Sequence, residues 1–340
     1  MTKLYIKKYI TIYKALDKIC IGFVGNVEEY IEMEYNSVNY ELLEHLLKNG
    51  IEETELFKFP FDELFKKGFI EPKATDGFSD SRSELYLNYL LDNTKSSCIA
   101  KNKKILIFGA GAGGSTLVYL LAQFGFKNIY IVDFDEVEES DLYRVMTFDK
   151  TDIGEKKIDS LKRKIINNFS IELNVLNANL SDYNDLEKII INIKPELIVK
   201  ACDPKGLFLT NLNKICFKEE IPYIMMAYSY ASIKIGPLYV PTITSCNEAL
   251  TNYAVKMFGE HYRIEYFERM FGDYLFHPSI SFNINILSSL IFKEILFFLL
   301  EEFKYCQTIG RLIVLNPLSI QTENFLIKCN DDCKICHDYD

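Results

Sequence analysis

What this sequence lacks narrows it first. Its 340 residues contain no uninterrupted apolar stretch of about 20, the length a membrane-crossing helix needs. The most apolar run, Ile284–Leu300, is broken by Lys293 and Glu294 and reads as a buried helix, so no membrane partner is expected. The segment Met1–Tyr13 alternates charged and apolar residues and lacks the apolar core of a signal peptide, so the expected location is cytoplasmic. Basic residues are outnumbered, 38 to 48, for a net charge of −10. That balance argues against a general nucleic-acid binder, which needs a basic face for phosphates. Tryptophan is absent while lysine, asparagine and isoleucine abound, a compositional bias without mechanistic content. Histidines are few, and His45, His261 and His277 show no ligand spacing. In a reducing compartment the nine cysteines read as thiols or metal ligands rather than disulfides.

What is present suits two domains better than one. Residues 1–73 read as a small module: strands at Lys3–Tyr13 and Tyr30–Met33 with a turn at Gly22–Gly25, helices at Asn39–Lys48 and Phe61–Lys67, and a closing strand at Phe69–Ile70. That order suits a winged-helix-like domain. Residues 74–83 are small and polar, a linker, and Ser83–Leu91 reads as an amphipathic helix, so 74–100 is taken as linker plus helix.

From residue 101 onwards the pattern becomes β–α alternation. Strand Lys104–Phe108 runs into Gly109-Ala-Gly-Ala-Gly-Gly114, a helix follows to Phe124, and strand Asn128–Val132 ends at Asp133. Gly109, Gly111 and Gly114 fit G-x-G-x-x-G, in which the helix N-terminus offers N–H groups to phosphate and the acidic residue holds ribose. Helices at Lys156–Phe169, Asp185–Asn192 and Leu207–Glu219 alternate with strands at Leu173–Ala178, Glu196–Lys200 and Tyr223–Ala227. The expected fold is therefore α/β, a mostly parallel doubly wound Rossmann-like sheet with helices on both faces.

The residues after Asp133 are more specific than the glycines. Asp133-Phe-Asp135-Glu-Val-Glu-Glu-Ser-Asp-Leu-Tyr-Arg144 resembles the D-x-D-x-V-x-x-S-N-L-x-R-Q signature of the ThiF/MoeB adenylyltransferase superfamily. Lys157 follows Arg144 at the family's interval of thirteen residues, and Val199-Lys-Ala-Cys-Asp203 ends a strand where the family carries its metal-binding aspartate. The resemblance implies ATP as cofactor, held by Gly109, Gly111, Gly114, Asp133, Asp135, Arg144 and Lys157, with Arg144, Lys157 and Asp203 catalytic and Asp203 on Mg²⁺. The chemistry is consistent with those roles. Attack of a carboxylate on an α-phosphate builds negative charge there and on the leaving pyrophosphate, and cations or a bridging metal ion offset it. Two positions depart from the signature: Asp141 stands where the family has asparagine, and Val145 where it has glutamine.

Gly236-Pro-Leu-Tyr-Val-Pro241, followed by Cys246, together with the small N-terminal module, resembles the microcin C-type branch of that family. That branch implies a homodimer with an N-terminal peptide clamp that joins a nucleotide to the C-terminal end of a short ribosomally made peptide. Around Tyr228–Lys234 there is no cysteine placed as a thioester nucleophile. The other readings are activation of a ubiquitin-like sulfur carrier and a non-catalytic leader-peptide-binding partner. The family also implies structural zinc. Cys333-Lys-Ile-Cys336 and Cys246 supply three ligands, Ala249 replaces a fourth, and Cys329 or His337 is the candidate substitute.

Overall fold

The structure, a computed structural model, describes residues 3–22, 30–72, 82–91, 97–179, 182–203, 206–229, 231–263, 278–329, 333 and 335–336. The turn after Gly22, most of the 74–83 linker, Pro204, His277 and His337 lie outside these residues. The chain divides into two compact units, Met1–Ser96 and Ser97–Asp340.

The N-terminal unit holds two three-stranded sheets. In one, β1 (Lys3–Ile6) is flanked by β5 (Ile51–Glu52) and β6 (Ile70–Pro72); in the other, β3 (Lys18–Gly22) lies between β2 (Thr11–Ala15) and β4 (Tyr30–Glu34). The single strand expected over Lys3–Tyr13 is thus two, interrupted by a turn in which Ile10 N–H donates to Lys7 O at 3.0 Å. Helix α1 (Ser37–Asn49) starts where the Asn36 side chain accepts the Asn39 N–H at 2.8 Å and stops at Gly50, whose φ of 67° a side chain would resist. Its Leu43 and Leu46 pack with Ile21, Ile51 and Leu64 of α2 (Phe61–Lys66) into one core. Helix α3 (Arg82–Leu91) ends the described part of this unit.

The second unit begins with α4 (Ser97–Lys101) and is built on an eight-stranded sheet. Its strands are β7 (Lys104–Phe108), β8 (Asn128–Val132), β9 (Asn174–Leu176), β10 (Leu197–Lys200), β11 (Tyr223–Ser229), β12 (Ser232–Tyr239), β13 (Arg311–Asn316) and β14 (Gln321–Leu326). They are ordered β14-β13-β12-β11-β10-β7-β8-β9. From β9 to β11 every neighbouring pair is parallel, and from β11 to β14 every pair is antiparallel. Sequence reading found the parallel half, because helices α5 (Ala112–Phe124), α6 (Lys157–Phe169), α7 (Tyr183–Ile193) and α8 (Phe208–Lys218) return the chain between those strands. It missed β12 to β14 and helix α9 (Asn247–Phe258), where no such alternation marks the elements.

Helix α10 (Ser281–Leu299) is long and apolar enough to cross a membrane, yet most of it is buried inside this unit. It packs on α5, where Ser288 Oγ donates to the Gly113 carbonyl at 3.1 Å. Its apolar length is therefore largely satisfied within one chain. Glu294, buried on the same helix, accepts the N–H groups of Gln307 and Thr308 and the Thr308 hydroxyl at 2.7 to 3.1 Å. That carboxylate fastens the turn before β13 to the helix.

Candidate active site

The carboxyl ends of parallel strands open onto a crevice where the strand order reverses, the usual ligand site of such sheets. Here β7 and β10 lie side by side, and a cavity of about 380 Å³ forms above them. Gly109, Gly111, Asp133, Asp135, Arg144, Lys157 and Asp203 all line it. Gly114 does not. A Cβ there would stand 1.9 Å from the Gly109 carbonyl oxygen, so this glycine lets α5 close against its own loop. At Gly111 a Cβ would meet nothing within 4 Å, so any side chain there would project into open space at the cavity wall.

Asp133 joins the two halves of the phosphate loop. Its Oδ2 accepts the Ala110 N–H at 2.6 Å and its Oδ1 the Asp135 N–H at 2.7 Å. Burial lifts its carboxyl above the ordinary value, against the pull of those two amides. The segment from 134 to 156 is laced to itself: Val137 N–H donates to Glu155 O at 2.9 Å, Gly154 N–H to Val137 O at 3.0 Å, and Lys157 N–H to Asp135 O at 3.0 Å. Lys157 opens α6 with its side chain buried at the cavity floor. Behind it Asp152, wholly buried, accepts from Ser160 Oγ at 2.7 Å and Arg163 Nη2 at 2.9 Å and pairs with Lys164 at 2.5 Å.

Asp141 lies beneath the cavity and is 1% exposed. It accepts from Arg144 Nη2 at 2.7 Å, from the Glu138 N–H at 3.2 Å, and pairs with Lys157 Nζ at 3.3 Å. Lys157 also lies 3.9 Å from Asp135. Burial opposes the charge of Asp141, but Lys157 and Arg144 outweigh it and hold the carboxyl below its ordinary range. Among the described residues no acceptor meets the buried Nε–H of Arg144.

Asp203 sits exposed at the rim. Helix α8 begins at Phe208 with Leu207 in the capping position, so Asp203 is not the cap of that helix. Asp203 and Asp135 are the exposed carboxylates of the wall, and hard oxygen donors of this kind fit Mg²⁺. Sequence reasoning missed Tyr228, Asn179, Cys202 and Phe208 in the lining. Tyr228 is on β11, and Asn179 and Cys202 lie just beyond β9 and β10. The rule that ligands bind at carboxyl ends of strands would have flagged all three. It also missed Lys200 at the end of β10, 4% exposed, whose amine burial drives below its ordinary value despite Cys202 and Asp203 nearby.

A second cluster forms away from the cavity, against the core beneath α8 and α9. The sulfurs of Cys246 and Cys333 are 3.4 Å apart, Cys333 and Cys336 3.2 Å, and Cys336 and Cys329 2.7 Å. Thiolates around zinc with bonds of about 2.3 Å would stand roughly 3.8 Å apart, a spacing near that of Cys246, Cys333 and Cys336, whose sulfurs all lie within 4.8 Å of one another, with Cys329 close to Cys336 alone. Burial pushes the Cys246 thiol up to about 11. Cys333 goes the other way: burial opposes its ionisation, but the N–H groups of Cys336 and Ile335 aimed at its sulfur outweigh it. Ala249 is buried in the core beside Cys246.

The ThiF family pattern matches residues 95–335. Among curated proteins, molybdopterin-synthase adenylyltransferase of Escherichia coli K12 is 27% identical over 125 residues, covering 36% of this chain and 49% of that protein. The Nedd8-activating enzyme E1 catalytic subunit of Drosophila melanogaster is 35% identical over 94 residues, covering 28% of this chain and 18% of that protein. The chain thus spans half or less of these two relatives. Among solved structures, E. coli MccB with ATP superposes with a TM-score of 0.70 at 23% identity, covering 98% of this chain and 99% of that one. E. coli MccB with AMPCPP and selenomethionyl MccA gives a TM-score of 0.70 at 22% identity and the same coverage. At these identities the likeness is one of fold.

Proposed function

The chain belongs to the ThiF family, and from that premise we propose that it is an ATP-dependent adenylyltransferase acting on the C-terminal end of a short, ribosomally made peptide, in a microcin C-like antibiotic pathway. The observation that carries the reading is the gathering of the glycine loop, Asp133, Arg144, Lys157 and Asp203 around one cavity. In it, the loop and the start of α5 receive the phosphates and Asp133 the ribose. A carboxylate oxygen of the peptide attacks the α-phosphorus, a P–O bond forms, and the bond to the bridging oxygen breaks to release pyrophosphate. Arg144 and Lys157 offset the charge that develops on the phosphoryl oxygens. Asp203, with Asp135 beside it, would hold Mg²⁺, which when bound supplies Lewis-acid compensation of phosphate charge.

The peptide preference rests on the N-terminal unit and on the sequence resemblance. Residues 1–73 act as the recognition domain, 74–100 as linker and helix, and 101–340 as the adenylation domain. Within the N-terminal unit a groove lined by Tyr9, Arg82, Tyr86 and Tyr89 offers aromatic faces and a cation. Cys246, Cys333, Cys336 and Cys329 hold a structural zinc ion. The protein pairs as a cytoplasmic homodimer, for which the exposed Tyr143 and Met146 are candidate contacts. Light scattering that reports a monomer at micromolar concentration would remove the dimer from this account.

The named relatives favour a second reading, activation of a carrier protein's C-terminus. The test incubates the protein with ATP and Mg²⁺ and either asparagine-ending peptides or a sulfur-carrier protein. Mass spectrometry is expected to find nucleotide on the peptide. Modification of the carrier alone would reverse the choice, and absence of ATP–pyrophosphate exchange with both would end the enzymatic reading.

A further inference from the structure

The two cations that face the cavity are already engaged. Arg144 and Lys157 both bond the same buried carboxylate, Asp141, at 2.7 and 3.3 Å, and Asp135 stands 3.9 Å from Lys157 on the other side. Asp203 adds another carboxylate to the wall. Three carboxylates, Asp141, Asp135 and Asp203, thus confront two cations, and the half-buried Asp133 stands in the same wall. A cavity with this balance repels a polyanion that arrives without its own counter-charge, and partial burial strengthens the repulsion by weakening solvent screening.

Asp141 cannot easily leave. Its backbone N–H donates to Glu138 O at 3.0 Å while its side chain accepts the Glu138 N–H at 3.2 Å, so it is fixed from both sides in the single 3-10 turn Glu139–Tyr143. The mobile partner is Arg144. It gives Asp141 one Nη2 bond and keeps an Nε–H that is buried and unaccepted. A buried donor without an acceptor is destabilising, because it has lost water and gained nothing. The pairing seen here is thus incomplete on the arginine side, and a phosphoryl oxygen would supply the missing acceptor once the guanidinium turns.

We propose that Asp141 is a specificity-determining residue. It is a resident counter-anion for Arg144 and Lys157, so that the cavity takes a nucleoside triphosphate as its divalent-metal complex and turns away the metal-free anion. The inference rests on the nucleotide reading above and deepens it. Asparagine at this position would keep one acceptor oxygen for Arg144 or the Glu138 amide and remove the negative charge, freeing both cations for phosphate.

Isothermal titration with a non-hydrolysable ATP analogue tests it, run with Mg²⁺ and again with EDTA, on the wild type and on Asp141→Asn. EDTA leaves a structural zinc site at risk, so each protein's melting temperature is recorded in both buffers, and inorganic tripolyphosphate is titrated as a metal-free anion in chelator-free, Mg²⁺-free buffer. Asp141→Asn is expected to bind the metal-free analogue and tripolyphosphate at least about tenfold more tightly than the wild type, from the loss of one charge close to the phosphates. Its affinity with Mg²⁺ should change much less. Wild-type protein that binds the analogue equally well with and without Mg²⁺ overturns the proposal even if the variant fails to fold. So does a folded Asp141→Asn with no gain for the metal-free anions. Absence of binding in both proteins with Mg²⁺ present would overturn the nucleotide reading itself, and this inference with it.

Discussion

The phosphate cavity and the cysteine cluster handle charge in opposite ways. In the cavity the cations Arg144 and Lys157 rest on a built-in carboxylate, Asp141, so the binding groups are held in register before any ligand arrives. In the cluster, Cys246, Cys333 and Cys336 turn their sulfurs toward one another, the exposed Cys329 reaches Cys336, and two amides draw the Cys333 thiol down against the pull of burial. With zinc bound, as proposed, all four would become thiolates around one cation. A cavity that is internally paired should survive loss of its ligand, whereas a cluster of thiolates should not survive loss of its metal. On the proposed function, the same fold separates a place where a ligand would be exchanged from a place where one would be kept.

The largest effect should come from breaking the kept site. Cys333→Ser, or prolonged chelation of the wild type, should release zinc and lower the melting temperature sharply, since structural zinc contributes on the order of 10 kcal/mol of apparent folding free energy. Elemental analysis beside a thermal melt checks this. Less than a tenth of an equivalent of zinc in gently purified protein would mean that the cluster is only a group of core thiols.

At the exchange site the effect should be on rate. Asp203→Ala is expected to reduce turnover by about 10²–10³ while leaving the melting temperature near that of the wild type, because the Mg²⁺ this carboxylate is proposed to hold would offset developing charge, and the side chain sits exposed at the rim. Wild-type turnover in a variant that melts early would show that the carboxylate serves the fold instead.

The smallest effect sharpens the contrast through a cation that lacks the arrangement of Arg144 and Lys157. Lys200 is buried at the end of β10, and its amine sits below the ordinary value of 10.5. Between the folded and unfolded values the unfolded chain binds more protons, so this residue's penalty is full at low pH and fades as pH rises toward 10.5. Lys200→Met should therefore melt roughly 2–4 °C higher at neutral pH, with the gain shrinking in alkaline buffer. A variant that melts lower at neutral pH would show that Lys200 has a stabilising partner when folded.

How much of this was legible in the sequence depended on whether the signal was local. The loop from Gly109 to Gly114, the aspartate ending β8 and the interval from Arg144 to Lys157 lie in one continuous stretch whose spacing reflects one β–α–β unit, and the cavity gathers them. Asp203 was legible because it ends the neighbouring parallel strand. Asp141 was visible only as a departure from a pattern. Its meaning required the distances to two cations, because the same carboxylate at the surface would have been inert. The antiparallel half of the sheet was opaque for a different reason. β13 and β14 are largely exposed or half-buried and show little period-two alternation, and α9 follows an antiparallel strand and precedes another helix rather than lying between parallel strands. The fourth sulfur likewise has no fixed interval to the first: Cys329 lies 2.7 Å from Cys336, and neither belongs to a helix or strand.

Glu294 carries a consequence for time rather than for affinity. The amides of Gln307 and Thr308 belong to an irregular turn, where hydrogens normally exchange with solvent within the local opening of a loop. Here both donate to a carboxylate buried on α10. Their exchange requires that these bonds to a buried carboxylate break, so the turn should take up deuterium more slowly than a loop whose amides face water alone.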